Sequence, residues 1–127
     1  MKKILCILET AYRGTQEEQD DAALWLTHSL KNAGGDMGVL LRGNAVNYAI
    51  MDQDPTGITI GKIGIERPLY PDRALLDMKA AAIPVHVVQE DVQERGIPTG
   101  RLIKDVELVS RARIPGLLSQ YDQVWHW

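Results

Sequence analysis

Short apolar runs alternate with longer helical patterns along this chain, and that alternation constrains the fold more than any single motif. The runs lie at residues 2–8, 37–41 and 84–88, and weaker strand patterns follow at 105–109 and 123–127. Strands that are apolar on both faces are typical of a parallel sheet covered by helices on each side. Helical patterns separate successive strands, as the crossovers of a parallel sheet require. The sequence therefore predicts an α/β three-layer sandwich with about five mostly parallel strands and helices on both faces.

The first helix is predicted to begin with a capping box. Thr15 is followed three residues later by Glu18, so each side chain can accept a hydrogen bond from the other residue's backbone N–H. Two glycines at positions 34 and 35 end the pattern, as expected at a helix C-terminus. The apolar residues of this segment that recur at helical spacing are expected to be buried; they are Ala22, Leu26, Leu30 and Ala33.

Residues 52–70 interrupt the α/β order. The segment contains three glycines and two prolines, and Gly61 and Lys62 separate two isoleucine-rich triplets at 58–60 and 63–65. A two-residue turn with glycine first is typical of a β-hairpin. We therefore expect a single domain over residues 1–127 that carries a hairpin-like insertion. Its isoleucines must be covered either by the domain itself or by another subunit.

Composition and charge argue against several classes of protein. The net charge of the 127 residues is −3, and no run of Lys and Arg with interleaved aromatic residues suggests nucleic-acid binding. No apolar stretch approaches the roughly 20 residues of a membrane span, and no secretory signal pattern follows the basic start. The only cysteine, Cys6, excludes an internal disulfide. We expect a cytoplasmic protein without nucleic-acid or membrane partners.

The sequence indicates neither a metal nor a cofactor. His28, His86 and His126 do not have the spacing of metal ligands. The glycines of the insertion are not followed by the Gly-Lys-Ser/Thr pattern of a phosphate-binding loop. No arrangement of residues identifies a catalytic group.

Polar side chains follow the predicted strands at the points where those strands end. The carboxyl ends of parallel strands meet at one edge of a sheet, where α/β proteins bind ligands. We therefore predict a ligand-binding site at this edge, formed by Thr10, Arg13, Asn44, Gln89 and Glu90. Structural alternatives exist, because Asn44, Gln89 and Glu90 can cap helices and Arg13 can pair with an acidic residue of the following helix.

Four segments of the chain resemble the DsrE/DsrF-like small sulfur-relay family, which has the YchN-like fold. Residues 3–35 resemble its first strand and helix, and residues 40–46 its second strand and the helix start that follows. Residues 85–97 resemble the strand and short helix that normally carry the family's cysteine, and residues 105–109 and 122–127 its last two strands. The resemblance implies a cytoplasmic subunit that assembles into trimers or hexamers. It also implies that sulfur is passed as a cysteine persulfide, with a sulfur-relay protein as partner.

The chain departs from this family at the position of the cysteine. The turn after the third strand reads Val88-Gln89-Glu90-Asp91-Val92. A persulfide requires a thiolate, which neither an amide nor a carboxylate can replace. Cys6 lies within an apolar run, where core packing is the expected role.

Three hypotheses of function remain open, and one of them is purely structural, with the hairpin of residues 52–70 as an oligomerisation arm. The leading one is a non-transferring homologue, a homo-oligomeric subunit that binds a small ligand or protein partner at the carboxyl edge of the sheet. The alternative is a sulfurtransferase or sulfur carrier that uses Cys6 as its persulfide site.

Overall fold

The structure is a computed structural model that describes residues 2–11, 21–53, 58–65 and 71–127. Within these ranges, three short 3₁₀ helices accompany the regular elements, at Gly43–Ala49, Thr99–Arg101 and Arg111–Arg113. In chain order, the strands and α-helices are β1 (Lys3–Leu8), α1 (Ala22–Asn32), β2 (Asp36–Leu41), β3 (Ile58–Ile60), β4 (Ile63–Ile65), α2 (Pro71–Ala80), β5 (Val85–Val88), α3 (Gln89–Glu94), β6 (Glu107–Val109), α4 (Ile114–Leu118) and β7 (Gln123–His126).

Five strands form one parallel sheet in the order β6-β5-β2-β1-β7. Every pairing within it is parallel, which confirms the predicted α/β class. The central strands β1 and β2 are apolar along most of their length because helices cover both faces of the sheet. All five strands end at the same edge, so the loops after them are brought together.

The two faces of the sheet are covered unequally. The α1 face, which carries Cys6 of β1 and Val39 of β2, is covered by α1, α2 and the 3₁₀ helix Gly43–Ala49. The α4 face, which carries Leu5 of β1 and Leu40 of β2, packs against the much shorter α4. The larger part of the core therefore lies on the α1 face.

The start of α1 differs from the prediction. Asp21 has extended backbone dihedrals, and its carboxylate accepts hydrogen bonds from the backbone N–H groups of Ala23 (2.9 Å) and Leu24 (3.4 Å). The same buried side chain accepts a hydrogen bond of 2.6 Å from the hydroxyl of Tyr48. Asp21 is therefore the N-cap of α1. The predicted capping box at Thr15 and Glu18 lies outside the described residues.

The buried stripe of α1 also differs from the prediction. Ala22 and Ala33 are exposed, and Leu26 and Leu30 are partly buried, with Leu30 packed against the core. The buried residues are Ala23, Leu24 and Thr27. Asp21 anchors the start of the helix to Tyr48, and the hydroxyl of Thr27 donates to the carbonyl of Ala23 at 2.8 Å, so this polar residue can lie on the buried face.

The insertion forms the predicted hairpin. β3 and β4 pair antiparallel with Ile60 opposite Ile63, and Gly61 at the turn has a φ of +63°, in the left-handed region that favours glycine. The side chains of Ile60 and Ile63 are about two-thirds exposed. Among the helices that the structure describes, none combines the length and the apolar character needed to cross a bilayer.

Candidate functional site

A cleft of about 700 Å³ opens at the carboxyl edge of the sheet. It lies where the segments after β1, β2, β5 and β6 meet, which is the usual position of a ligand site in an open α/β sheet. Its volume is within the range of small-molecule sites. The lining residues are Glu9, Arg42, Gly43, Asn44, Val88, Asp91, Arg95, Arg111, Ile114 and Pro115.

A buried carboxylate, that of Asp91 in α3, connects three of these segments. Oδ2 accepts a hydrogen bond of 2.8 Å from the backbone N–H of Gly43, and Oδ1 accepts a short one from Nη2 of Arg111. Burial by itself would raise the pKa of this carboxyl. The hydrogen bonds from Gly43 and Arg111, with the charges of Arg111 and Arg95, outweigh burial and lower it. Asp91 is therefore ionised and ties the loops after β2 and β6 to α3.

Gly43 is the backbone position that allows this connection. Its φ of +54° lies in the left-handed region, and a Cβ there would lie 3.4 Å from the carbonyl oxygen of Glu9. A residue with a side chain would be strained in this conformation. The glycine thus lets the loop after β2 turn its N–H toward Asp91.

Arg95 and Asn44 form a second contact across the cleft. Nε and Nη2 of Arg95 donate to Oδ1 of Asn44, at 3.2 and 2.9 Å. Nη1 of Arg95 donates to the backbone carbonyl of Asp91 at 3.2 Å. The N-cap of the 3₁₀ helix is Arg42, without a side-chain capping bond, so the capping alternative for Asn44 is wrong. Its amide instead positions the guanidinium of Arg95.

Two further arginines line the cleft and remain half-exposed. Nε of Arg42 lies 2.9 Å from Oε1 of Glu9, and Nη2 of Arg111 donates to Oε2 of Glu94 at 3.1 Å. Glu94 and Asp91 raise the pKa of the Arg111 guanidinium further above its usual range. A guanidinium has five N–H donors, more than these contacts use, and the two arginine side chains are 48% and 50% exposed. Both can donate hydrogen bonds to a ligand in the cleft.

The structure places four of the five predicted site residues at the expected edge but gives them different roles. Asn44 lines the cleft, whereas Thr10 and Gln89 are exposed and lie outside its lining. The carboxylate of Glu90 accepts the backbone N–H of Arg111 at 2.9 and 3.2 Å, so it fixes the loop after β6. Arg13 lies outside the described residues. Ligand binding by these residues stays a prediction.

The sequence reasoning missed the charged residues that build the cleft. Asp91 directly follows two residues that were proposed for the site, and Arg111 follows the last residues of the predicted fourth strand. Both residues lie within three positions of a strand end, and that signal could have included them among the candidates; their pairing depends on the order of the strands. Topology brings such residues together even when they are far apart in the chain.

Cys6 lies in the core and away from this cleft. It is 1% exposed, on the α1 face of β1. Burial raises the pKa of its thiol, and hydrogen bonds with Thr27 and Trp127 offset only part of that effect. A buried thiol with a raised pKa is a poor nucleophile at neutral pH.

Comparison with known proteins identifies the fold. No protein-family sequence model matches the chain. No curated protein matches it by sequence. Among solved structures, it is similar to the crystal structure of the ychN protein from Escherichia coli, with a TM-score of 0.79 and 22% identity over the whole of both chains. The chain therefore has a YchN-like α/β fold.

Proposed function

We propose that this protein is a non-transferring homologue of the small sulfur-relay proteins that binds a small anionic ligand in the cleft at the carboxyl edge. The observation that carries the proposal is the convergence of Arg42, Arg95 and Arg111 on one cleft. The only thiol of the chain is buried elsewhere, in the core. Binding in the cleft therefore does not involve a cysteine.

The guanidinium groups favour a planar or tetrahedral anion. Arginine presents parallel N–H donors that match carboxylate and phosphate oxygens, and such charge-assisted hydrogen bonds are stronger than neutral ones. Ile114 and Pro115 form an apolar part of the same lining. A ligand with an anionic head and a short apolar body would contact both kinds of surface.

The charge balance of the cleft limits the charge of the ligand. Three arginines are accompanied by the carboxylates of Glu9 and Asp91, which also line the cleft, and by Glu94 beside Arg111. The surroundings are therefore close to neutral, and a polyanion would be repelled by the carboxylates. We expect a ligand with one or two negative charges.

A titration followed by ¹H–¹⁵N NMR tests this proposal, with inorganic phosphate and acetate as probes. Saturable shifts are expected at Gly43, Asn44 and Arg111. Arg42→Gln should weaken binding about tenfold, because it removes a charge-assisted contact. Arg101→Gln is the matched control, since Arg101 is an exposed arginine outside the cleft. Absence of saturable shifts, or an equal effect of the two substitutions, would contradict the proposal.

We also propose that the protein assembles with copies of itself, as the resemblance to small sulfur-relay proteins implies. Ile60 and Ile63 of the hairpin and Trp25 of α1 are 67%, 63% and 60% exposed, and such large apolar groups favour contact with another subunit. Light scattering should give the mass of a trimer or hexamer. The double variant Ile60→Ser/Ile63→Ser should reduce that mass, whereas Thr59→Ser, at an exposed polar position of the same hairpin, should not. A monomeric wild-type protein would contradict this part of the proposal.

A further inference from the structure

A second cleft, of about 490 Å³, lies on the α4 face of the sheet. It is bounded by β5, β6, the 3₁₀ helix Arg111–Arg113 and α4, and it shares no lining residue with the cleft at the carboxyl edge. Its volume also suits a small molecule. The lining residues are His86, Glu107, Leu108, Val109, Ala112, Arg113, Gly116, Leu117 and Gln120.

His86 is a buried polar group in this lining. Nδ1 lies 2.9 Å from Oε2 of Glu107, which is largely exposed on the neighbouring strand. An ionised carboxylate only accepts hydrogen bonds, so the neutral imidazole must carry its proton on Nδ1. Nε2 is then a hydrogen-bond acceptor. Burial lowers the pKa of His86, which favours this neutral form.

Arg113 supplies a free cation to the same cleft. Its guanidinium forms no ion pair or hydrogen bond within the described ranges, and it is exposed. Arg111, two residues earlier, is by contrast paired with Asp91 and Glu94 at the other cleft. An unpaired arginine beside a pocket is suited to bidentate binding of a carboxylate.

Apolar side chains form the remaining wall. Leu108 of β6 is exposed despite its size, and Val109 and Leu117 lie beside the cleft. Gly116 adds no side chain. Apart from its chain neighbours and the backbone of its own helix, no atom of the described residues lies within 4 Å of the position of a Cβ there. The wall can therefore accept a short branched apolar group.

From this arrangement we propose that the second cleft binds a small organic carboxylate that also carries an N–H or O–H donor and a short apolar group. The carboxylate binds the guanidinium of Arg113, the donor binds Nε2 of His86, and the apolar group packs against Leu108 and Leu117. An N-acylated amino acid has all three features. This site does not depend on ligand binding at the carboxyl edge.

N-acetyl-L-leucine is a suitable probe, and N-acetyl-L-leucinamide is its uncharged control. Long-range ¹H–¹⁵N spectra of the free protein should show His86 protonated at Nδ1 and unprotonated at Nε2. Addition of N-acetyl-L-leucine should shift the Nε2 resonance saturably as it accepts a hydrogen bond. The leucinamide should bind at least about tenfold more weakly, because it lacks the charge that Arg113 recognises.

Two arginine variants test this site, with the shift of Nε2 of His86 as the readout. Arg113→Gln should weaken binding of N-acetyl-L-leucine by about tenfold or more, while Arg101→Gln, at an exposed arginine that lines neither cleft, should leave it unchanged. Three results would each overturn the proposal: no saturable shift of Nε2, equal binding of the acid and the amide, or equal effects of the two variants. The titration should extend to about 10 mM probe, which is ten times a weak Kd of about 1 mM.

Discussion

Substitution of Asp91 by alanine should destabilise the protein and loosen the loops that form the carboxyl-edge cleft. Asp91 is 7% exposed and accepts hydrogen bonds from the backbone of Gly43 and the side chain of Arg111. Alanine removes both acceptors at once. The loop after β2 would then be held by the contact of Asn44 with Arg95, and the loop after β6 by the contacts of Arg111 with Glu90 and Glu94.

The magnitude follows mainly from the donor that is left behind. Loss of its acceptor leaves the partly buried N–H of Gly43 unsatisfied, which costs about 1–3 kcal/mol. Arg111 is half-exposed and can be solvated by water, so the loss of its ion pair with Asp91 adds little to the cost. We expect the free energy of unfolding to fall by about 2 kcal/mol. Asp91→Asn should cost less, because the amide oxygen can still accept the hydrogen bond from Gly43.

Urea unfolding followed by tryptophan fluorescence measures this loss. With an m value of about 2 kcal/mol per M, the midpoint should fall by about 1 M urea. Glu94→Gln is the matched control, because Glu94 is an exposed carboxylate that pairs with the same arginine. It should leave the midpoint nearly unchanged. If Asp91→Ala costs no more than Glu94→Gln, the role assigned to the buried carboxylate is refuted.

Two further predictions concern the α4 face. A Cβ at Gly38 would lie 2.2 Å from Oη and 2.8 Å from Cζ of Tyr121, so Gly38→Ala should lower the free energy of unfolding, measured in urea, by about 1–3 kcal/mol. Gly64→Ala is the control and should have little effect, because the space around Gly64 is open. Equal effects of the two substitutions would contradict the packing of Gly38 against Tyr121. Acidification below about pH 6.5 should destabilise the protein, because burial lowers the pKa of His86 below its usual value of 6.5. The charge of Glu107 opposes this shift, and the charges of Lys79 and Lys3 add to it. Between pH 6.5 and the lower pKa of His86 in the folded protein, the unfolded chain binds a proton at this residue and the folded chain does not. The free energy of unfolding therefore decreases as the pH is lowered through this range, and it levels off below the pKa of the folded protein. His86→Gln should remove this part of the pH dependence, and an NMR titration midpoint for His86 at or above 6.5 would contradict it.

The parallel sheet could be predicted because its inner strands are apolar at nearly every position. The residues at which the strands and helices begin were harder to predict. β6 begins at Glu107 and not at residue 105, because Asp105 has a φ of +67°, which an extended strand excludes. α1 begins after Asp21, whose contact with Tyr48 joins residues 27 positions apart. A local sequence pattern does not predict a contact between residues so far apart in the chain.

The position of the candidate site followed from topology, but its side chains did not. Asn44 was correctly placed at the edge because it follows a predicted strand. The role of Asp91 depends on Gly43, 48 positions away, and on Arg111, 20 positions away. These pairings exist only once the order of strands in the sheet is known, and the order β6-β5-β2-β1-β7 differs from the order in the chain.

Intact-protein mass spectrometry after incubation with inorganic polysulfide tests most directly whether this protein acts without a sulfur-carrying cysteine. Since Cys6 is buried and burial raises the pKa of its thiol, the folded protein should gain no sulfur, while the urea-unfolded chain should gain it at Cys6. A sulfur adduct on the folded protein that disappears in Cys6→Ala would contradict the account and establish Cys6 as a persulfide site.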